Sequence, residues 1–124
     1  MLRLLAILVG ICFIIIGVLG FMPEFTSQGR LMGTIATNSI SNIIHLATGI
    51  LGLMCGVKGT KLSRYFFIAL GMSYGILALL GFYDSSLAFF RYVVTNGASN
   101  IFHAVIAIIA LALGFGLINK HSND

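Results

Sequence analysis

Acidic residues are nearly missing from this 124-residue chain: Asp and Glu together number 3, at Glu24, Asp84 and Asp124. None lies in an apolar run, so catalysis by paired carboxylates has no place inside those runs. Charge of either sign is scarce, at 8% of residues, and the formal net charge of +4 rests on 7 Lys and Arg. That is too thin for the basic patch or stripe that a nucleic-acid surface needs, so no nucleic-acid partner is expected. Trp is absent, which leaves Tyr and Phe to anchor the chain at a membrane interface. Cys12 and Cys55 both sit within apolar sequence, where neither a disulfide framework nor a zinc spacing is expected. No Gly-rich phosphate loop follows a strand, and no Ser-His-Asp set occurs. The expectation is a protein that is not an enzyme.

What the chain has in abundance is apolar sequence: 59% of residues are hydrophobic and the mean hydropathy is +1.08. A soluble domain this small keeps too large an exposed area to hide so much apolar surface, so lipid must cover it. Four runs are long enough to cross about 30 Å of hydrocarbon at about 1.5 Å per residue. They are Leu2–Met22, Ser39–Val57, Tyr65–Tyr83 and Ala98–Ile118. Pro23 to Thr37 and Asp84 to Gly97 form longer connections, and Lys58-Gly59-Thr60-Lys61 a short basic turn. Within the last long connection, Ser86 to Val94 is apolar but too short to span, and is expected to lie on the outer surface as an interfacial helix, a lid or an ordinary capping loop. Arg3, Lys58, Lys61, Arg64 and Lys120 fall at one membrane face, Arg30 and Arg91 at the other. The excess of positive charge makes the first face cytoplasmic and puts both termini there. The first run, with its single Arg, looks like a secretory signal, but it is longer than the usual signal core and no small-residue cleavage site follows it.

Its retention is also expected from an internal repeat. Asn38-Ser-Ile-Ser-Asn42-Ile-Ile-His45 and Asn96-Gly-Ala-Ser-Asn100-Ile-Phe-His103 both read N-x-x-S-N-I-x-H, and Arg3, Gly10, Gly20 and Phe21 align without a gap on Arg64, Gly71, Gly81 and Phe82. Two copies of a helical hairpin, residues 1–60 and 61–124, then make a single membrane domain. Each copy has an even number of spans, so both enter with the same polarity, as a parallel repeat about an axis along the membrane normal. The expected fold is all-α and integral to the membrane: a four-transmembrane-helix bundle made of two parallel-repeat helical hairpins, N-in/C-in.

The stretches Gly17-Val-Leu-Gly20-Phe21-Met-Pro23, Asn42-Ile-Ile-His45-Leu-Ala-Thr-Gly49 and Asn100-Ile-Phe-His103 give the chain a family likeness. It resembles the bacterial membrane proteins grouped as domain of unknown function 4383, over most of its length. It departs from their pattern at Ser99, where an Asp is usual, and at Ala107, where a Gly is usual. The resemblance implies a four-span domain of a bacterial inner membrane and carries no activity.

Asn38, Asn42, His45, Gly49, Gly52 and Gly56 recur at intervals of four and three, which places them on one helix face. Asn96, Asn100, His103, Ala107, Ala110 and Gly114 repeat the pattern. Small residues let backbones approach closely in lipid, and polar side chains at membrane depth turn inward. The two stripes are therefore expected to face the bundle interior, with His45 and His103 at matched depth, roughly 10 Å inside the outer boundary. Gly49, Gly52, Gly56, Gly71, Gly75 and Gly114 are the expected packing positions, the G-x-x-x-G pairs among them serving internal contacts or a homo-oligomer or membrane partner.

Four roles fit the Asn/His cluster. The leading one is a polar lock that fixes the register of the second and fourth helices, each contact contributing about 0.6–2 kcal/mol. The cluster could instead bind a metal or haem through His45 and His103, with Glu24 and Asp84 completing a metal site. It could line an ion, proton or small-solute path, or anchor a lipid or quinone in the Gly-lined groove.

Overall fold

The computed structural model describes residues 1–116 of the chain. The end of the fourth run, Lys120 and Asp124 lie outside the described residues. Four helices carry the fold: α1 (Leu2–Phe21), α2 (Ser39–Lys58), α3 (Thr60–Tyr83) and α4 (Gly97–Gly114). Each is long and apolar enough to cross a membrane. Their outward faces keep large apolar side chains uncovered, among them Leu79 at 73% and Ile108 at 69% exposure, as lipid-facing surfaces do.

Glycine decides which helices pair. A Cβ on Gly10 would stand 2.6 Å from both the Gly49 carbonyl oxygen and the Leu53 nitrogen, and one on Gly49 would stand 2.5 Å from the Gly10 oxygen. The backbones of α1 and α2 therefore touch, and Gly56 extends the seam, since its Cβ would meet the Arg3 oxygen at 2.8 Å. In the second pair, a Cβ on Gly71 would meet Leu111 and one on Gly114 would meet Ile68, side chain and backbone alike. Gly75 is different: its Cβ would meet only the Ala107 methyl, at 3.5 Å. So α1 packs chiefly on α2 and α3 on α4, with sparser contact between the hairpins. Phe13, Phe66, Phe67, Leu70, Tyr74 and Leu113 fill the shared core.

Helix α3 starts five residues earlier than the sequence indicates, at Thr60, because Gly59 alone separates it from α2. The Ser63 hydroxyl closes that turn by donating to the carbonyls of Gly59 (2.8 Å) and Cys55 (3.2 Å). At the same end, Arg3 donates from Nε to the Gly56 carbonyl (3.0 Å) and from Nη2 to that of Val57 (2.7 Å). Arg64 reaches the last carbonyl of α4 in the same way, Nη1 to Gly114 at 3.0 Å. Both arginines thus satisfy helix-terminal carbonyls that have no partner within their own helix.

The connection from Pro23 to Thr37 adds a small sheet to the mostly helical fold. It opens with a 3-10 turn, Pro23–Phe25, and folds into a small antiparallel sheet of β1 (Thr26–Ser27), β2 (Arg30–Leu31) and β3 (Ile35–Ala36). Ser27 pairs with Arg30 across Gln28-Gly29, whose φ angles of 53° and 73° suit the tight turn of a hairpin. The segment from Ser86 to Val94 contains one 3-10 turn, Ala88–Arg91, rather than a longer interfacial helix. Phe90 and Val93 turn inward from it, and Phe89 and Tyr92 remain exposed.

Candidate polar site at the N-terminal ends of α2 and α4

Asn is among the best residues to start a helix, because its side-chain oxygen accepts an amide that has no partner in the first turn. Asn38 and Asn96 both do so: the Ser41 N–H donates to Asn38 Oδ1 and the Ser99 N–H to Asn96 Oδ1, each at 2.8 Å. That leaves each Nδ2 free to donate elsewhere. Asn38 Nδ2 donates to the Tyr92 carbonyl at 2.9 Å, and Asn96 Nδ2 to the Thr34 carbonyl at 2.8 Å. The Ala36 N–H donates in turn to Ser99 Oγ (3.0 Å) and Asn96 Oδ1 (3.3 Å). The connection between α1 and α2 is thereby tied to the start of α4, and the connection between α3 and α4 to the start of α2.

One turn deeper, Asn42 and Asn100 are buried. Each side-chain oxygen accepts from a threonine hydroxyl five residues earlier, Thr37 for Asn42 and Thr95 for Asn100. Gly20 of α1 and Gly81 of α3 lie directly against these amides, and a Cβ on either glycine would fall inside them. These asparagines therefore pack within their own hairpins, and their hydrogen bonds stay in their own segments instead of joining α2 to α4. The Gly faces of both stripes likewise meet α1 and α3.

His45 and His103 are buried in an aromatic cluster that all four helices supply. Phe13 lies 5.9 Å from His45 and Tyr74 5.3 Å from His103, ring centre to ring centre, with Phe102 close to both imidazoles. The Tyr74 hydroxyl is 3.2 Å from that of Thr48. Both histidines border one cavity of about 10 Å³, which Ser41, Tyr74 and the two long connections also line. A haem needs far more room. Glu24 and Asp84 do not line this cavity: Glu24 borders an open concavity on the small sheet, and Asp84 is half-buried beside Ser86. The Ser86 hydroxyl and N–H both donate to the Asp84 carboxylate and hold its pKa below the usual value. Among the described residues no three His, Cys, Asp or Glu side chains come together.

Sequence reasoning passes over Thr37, Thr95 and Tyr74, and gives Ser99 no role in the cluster. The first two carry a readable signal, because Thr37-Asn38 and Thr95-Asn96 extend the repeat by one residue. A family model described as "Domain of unknown function (DUF4383)" matches residues 3–116. No curated protein and no solved structure matches the chain.

Proposed function

The chain belongs to the family described as domain of unknown function 4383, and from that premise we propose a non-enzymatic, multi-pass protein of the bacterial inner membrane whose Asn/His cluster is a structural polar lock. The carrying observation is the reciprocal tie of each outer connection to the opposite hairpin through Asn38 and Asn96. Helix pairs in lipid gain little from apolar burial, since the tails are as apolar as the side chains, so polar ties and close packing must hold them. Sparse contact between the hairpins makes such ties at their outer ends all the more necessary. Asn42 and Asn100 fix the loop entry of each hairpin, and the histidines sit at the seam where the four helices meet.

The two hairpins form a parallel repeat with both termini cytoplasmic. Its support is the matched pairs already described: Arg3 with Arg64, Gly20 with Gly81, Asn38 with Asn96. Close glycine packing along the inner half of the α1–α2 seam speaks against a solute path there. A lock needs no ligand, whereas a metal site needs a donor set that the two histidines alone do not supply.

Two measurements test this reading. A reporter inserted at Gly59 or fused after Asp124 should be active only in the cytoplasm, and one inserted between Gln28 and Gly29 only outside; the reverse pattern would overturn the topology. Elemental analysis of purified protein should find no transition metal at a stoichiometric level. Metal near one per chain, lost in the His45→Ala/His103→Ala double variant, would replace the lock by a ligand site.

A further inference from the structure

We propose that His45 and His103 hold one neutral, water-sized hydrogen-bonding molecule, a resident water, where the two hairpins meet. Ser41 Oγ, His45 Nδ1 and His103 Nδ1 are buried and take no hydrogen bond from any described protein group. Their residues are 4%, 5% and 6% exposed, so bulk solvent does not serve them. All three residues border the same cavity of about 10 Å³, together with Tyr74, Ala36 and Val94. A buried water needs about 10–15 Å³ of such space and two to four polar partners. The cavity reaches the lower end of that range, and three residues with unpartnered polar atoms border it.

The comparison of the two repeats strengthens the assignment. Ser99 Oγ accepts the Ala36 N–H at 3.0 Å, whereas its counterpart Ser41 has no such bond. The repeat is therefore unequal at this place, and the unused hydrogen-bonding capacity gathers at Ser41 and the two imidazoles.

The chemistry selects a neutral occupant. No carboxylate lines the cavity, and a buried cation without a counter-charge is strongly disfavoured. A neutral imidazole offers one donor and one acceptor, and a serine hydroxyl offers both. Water can donate to one ring nitrogen and accept from the other ring or from the hydroxyl, so it meets every tautomer combination. The volume excludes anything much larger. Neither Asn38 nor Asn96 borders the cavity, so its occupancy is read separately from the ties that those two residues make.

Solid-state NMR of the full chain in lipid bilayers, with labelled histidine nitrogens, tests the proposal by transfer of magnetisation from water. In the unsubstituted protein the ring nitrogens of His45 and His103 should receive water magnetisation well above the level of the buried Ala110 amide. In His103→Phe the transfer to His45 should fall to that dry level. The milder Ser41→Ala should lower the transfer at both rings, and it decides the matter if His103→Phe does not fold. Ring nitrogens as dry as the Ala110 amide in the unsubstituted protein would overturn the proposal. So would transfer to His45 that is unchanged in Ser41→Ala and His103→Phe, or a stoichiometric metal removed by the His103 substitution.

Discussion

Alanine at Gly49 is expected to destabilise the bundle by about 1–3 kcal/mol, the range that overpacking of a close contact typically costs. The added methyl would stand 2.5 Å from the Gly10 carbonyl oxygen and 2.7 Å from the Ile14 nitrogen. These are backbone atoms of a regular helix and cannot rotate aside, so α1 and α2 must separate over much of the seam. Gly75→Ala is the matched control: its methyl would meet only the Ala107 methyl at ordinary van der Waals distance, and the exchange also favours the helix by up to about 1 kcal/mol. Unfolding of both variants by SDS titration in mixed micelles measures the contrast. Equal stability of the two variants would show that the α1–α2 seam is looser than the structure has it.

The second large effect is expected at the C-terminal end of α2. Arg3→Met should cost about 2 kcal/mol, because it removes two charge-assisted bonds to the terminal carbonyls of α2. It also removes a cation from a helix C-terminus, where the macrodipole favours one. Met keeps much of the side-chain length, so the loss reports on the guanidinium. Arg64→Met should cost less, since both Arg64 bonds come from one nitrogen and the one to the Leu113 carbonyl is 3.5 Å long. Lysine at position 3 should recover only part of the loss, because one ammonium cannot reproduce the forked geometry. The same SDS titration ranks the three variants. A cost at Arg64 equal to or above that at Arg3 would count against this account.

Most of the helical architecture was legible in the sequence because lipid imposes a simple rule: a long apolar run must satisfy its own backbone, and a helix does so. The burial of His45, Gly49, Gly52 and Gly56 on one face followed from spacing in the same way. What spacing does not reveal is the helix that a face meets. Gly10, Gly20 and Gly81 stand in the repeat as markers, yet they are the residues that lie against Gly49, Asn42 and Asn100 of the two stripes. Arg3 and Arg64 counted as topology signals, and a charge count is silent about the carbonyls they reach. The small sheet is hidden because its turns are Gln28-Gly29 and Met32-Gly33-Thr34, without the Asn-Gly or Asp-Gly pair that usually marks a tight hairpin. Nor does a helical wheel extend past the helix, so it cannot show that Asn38 and Asn96 reach out to the opposite connection.

That reach is the centre of the account, and Asn→Asp substitution isolates it. Aspartate keeps the oxygen that caps the helix, and caps about as well as asparagine. It loses the Nδ2 donor and sets a carboxylate against the Thr34 or Tyr92 carbonyl. Unfolding free energies of Asn38→Asp and Asn96→Asp, measured in bilayer-like micelles beside the unsubstituted protein, are therefore the most direct test. The lock predicts a loss of about 0.5–2 kcal/mol for each, with helix content unchanged, since each variant loses one Nδ2 bond and keeps its accepting oxygen. Stability equal to that of the unsubstituted protein in both variants would contradict it.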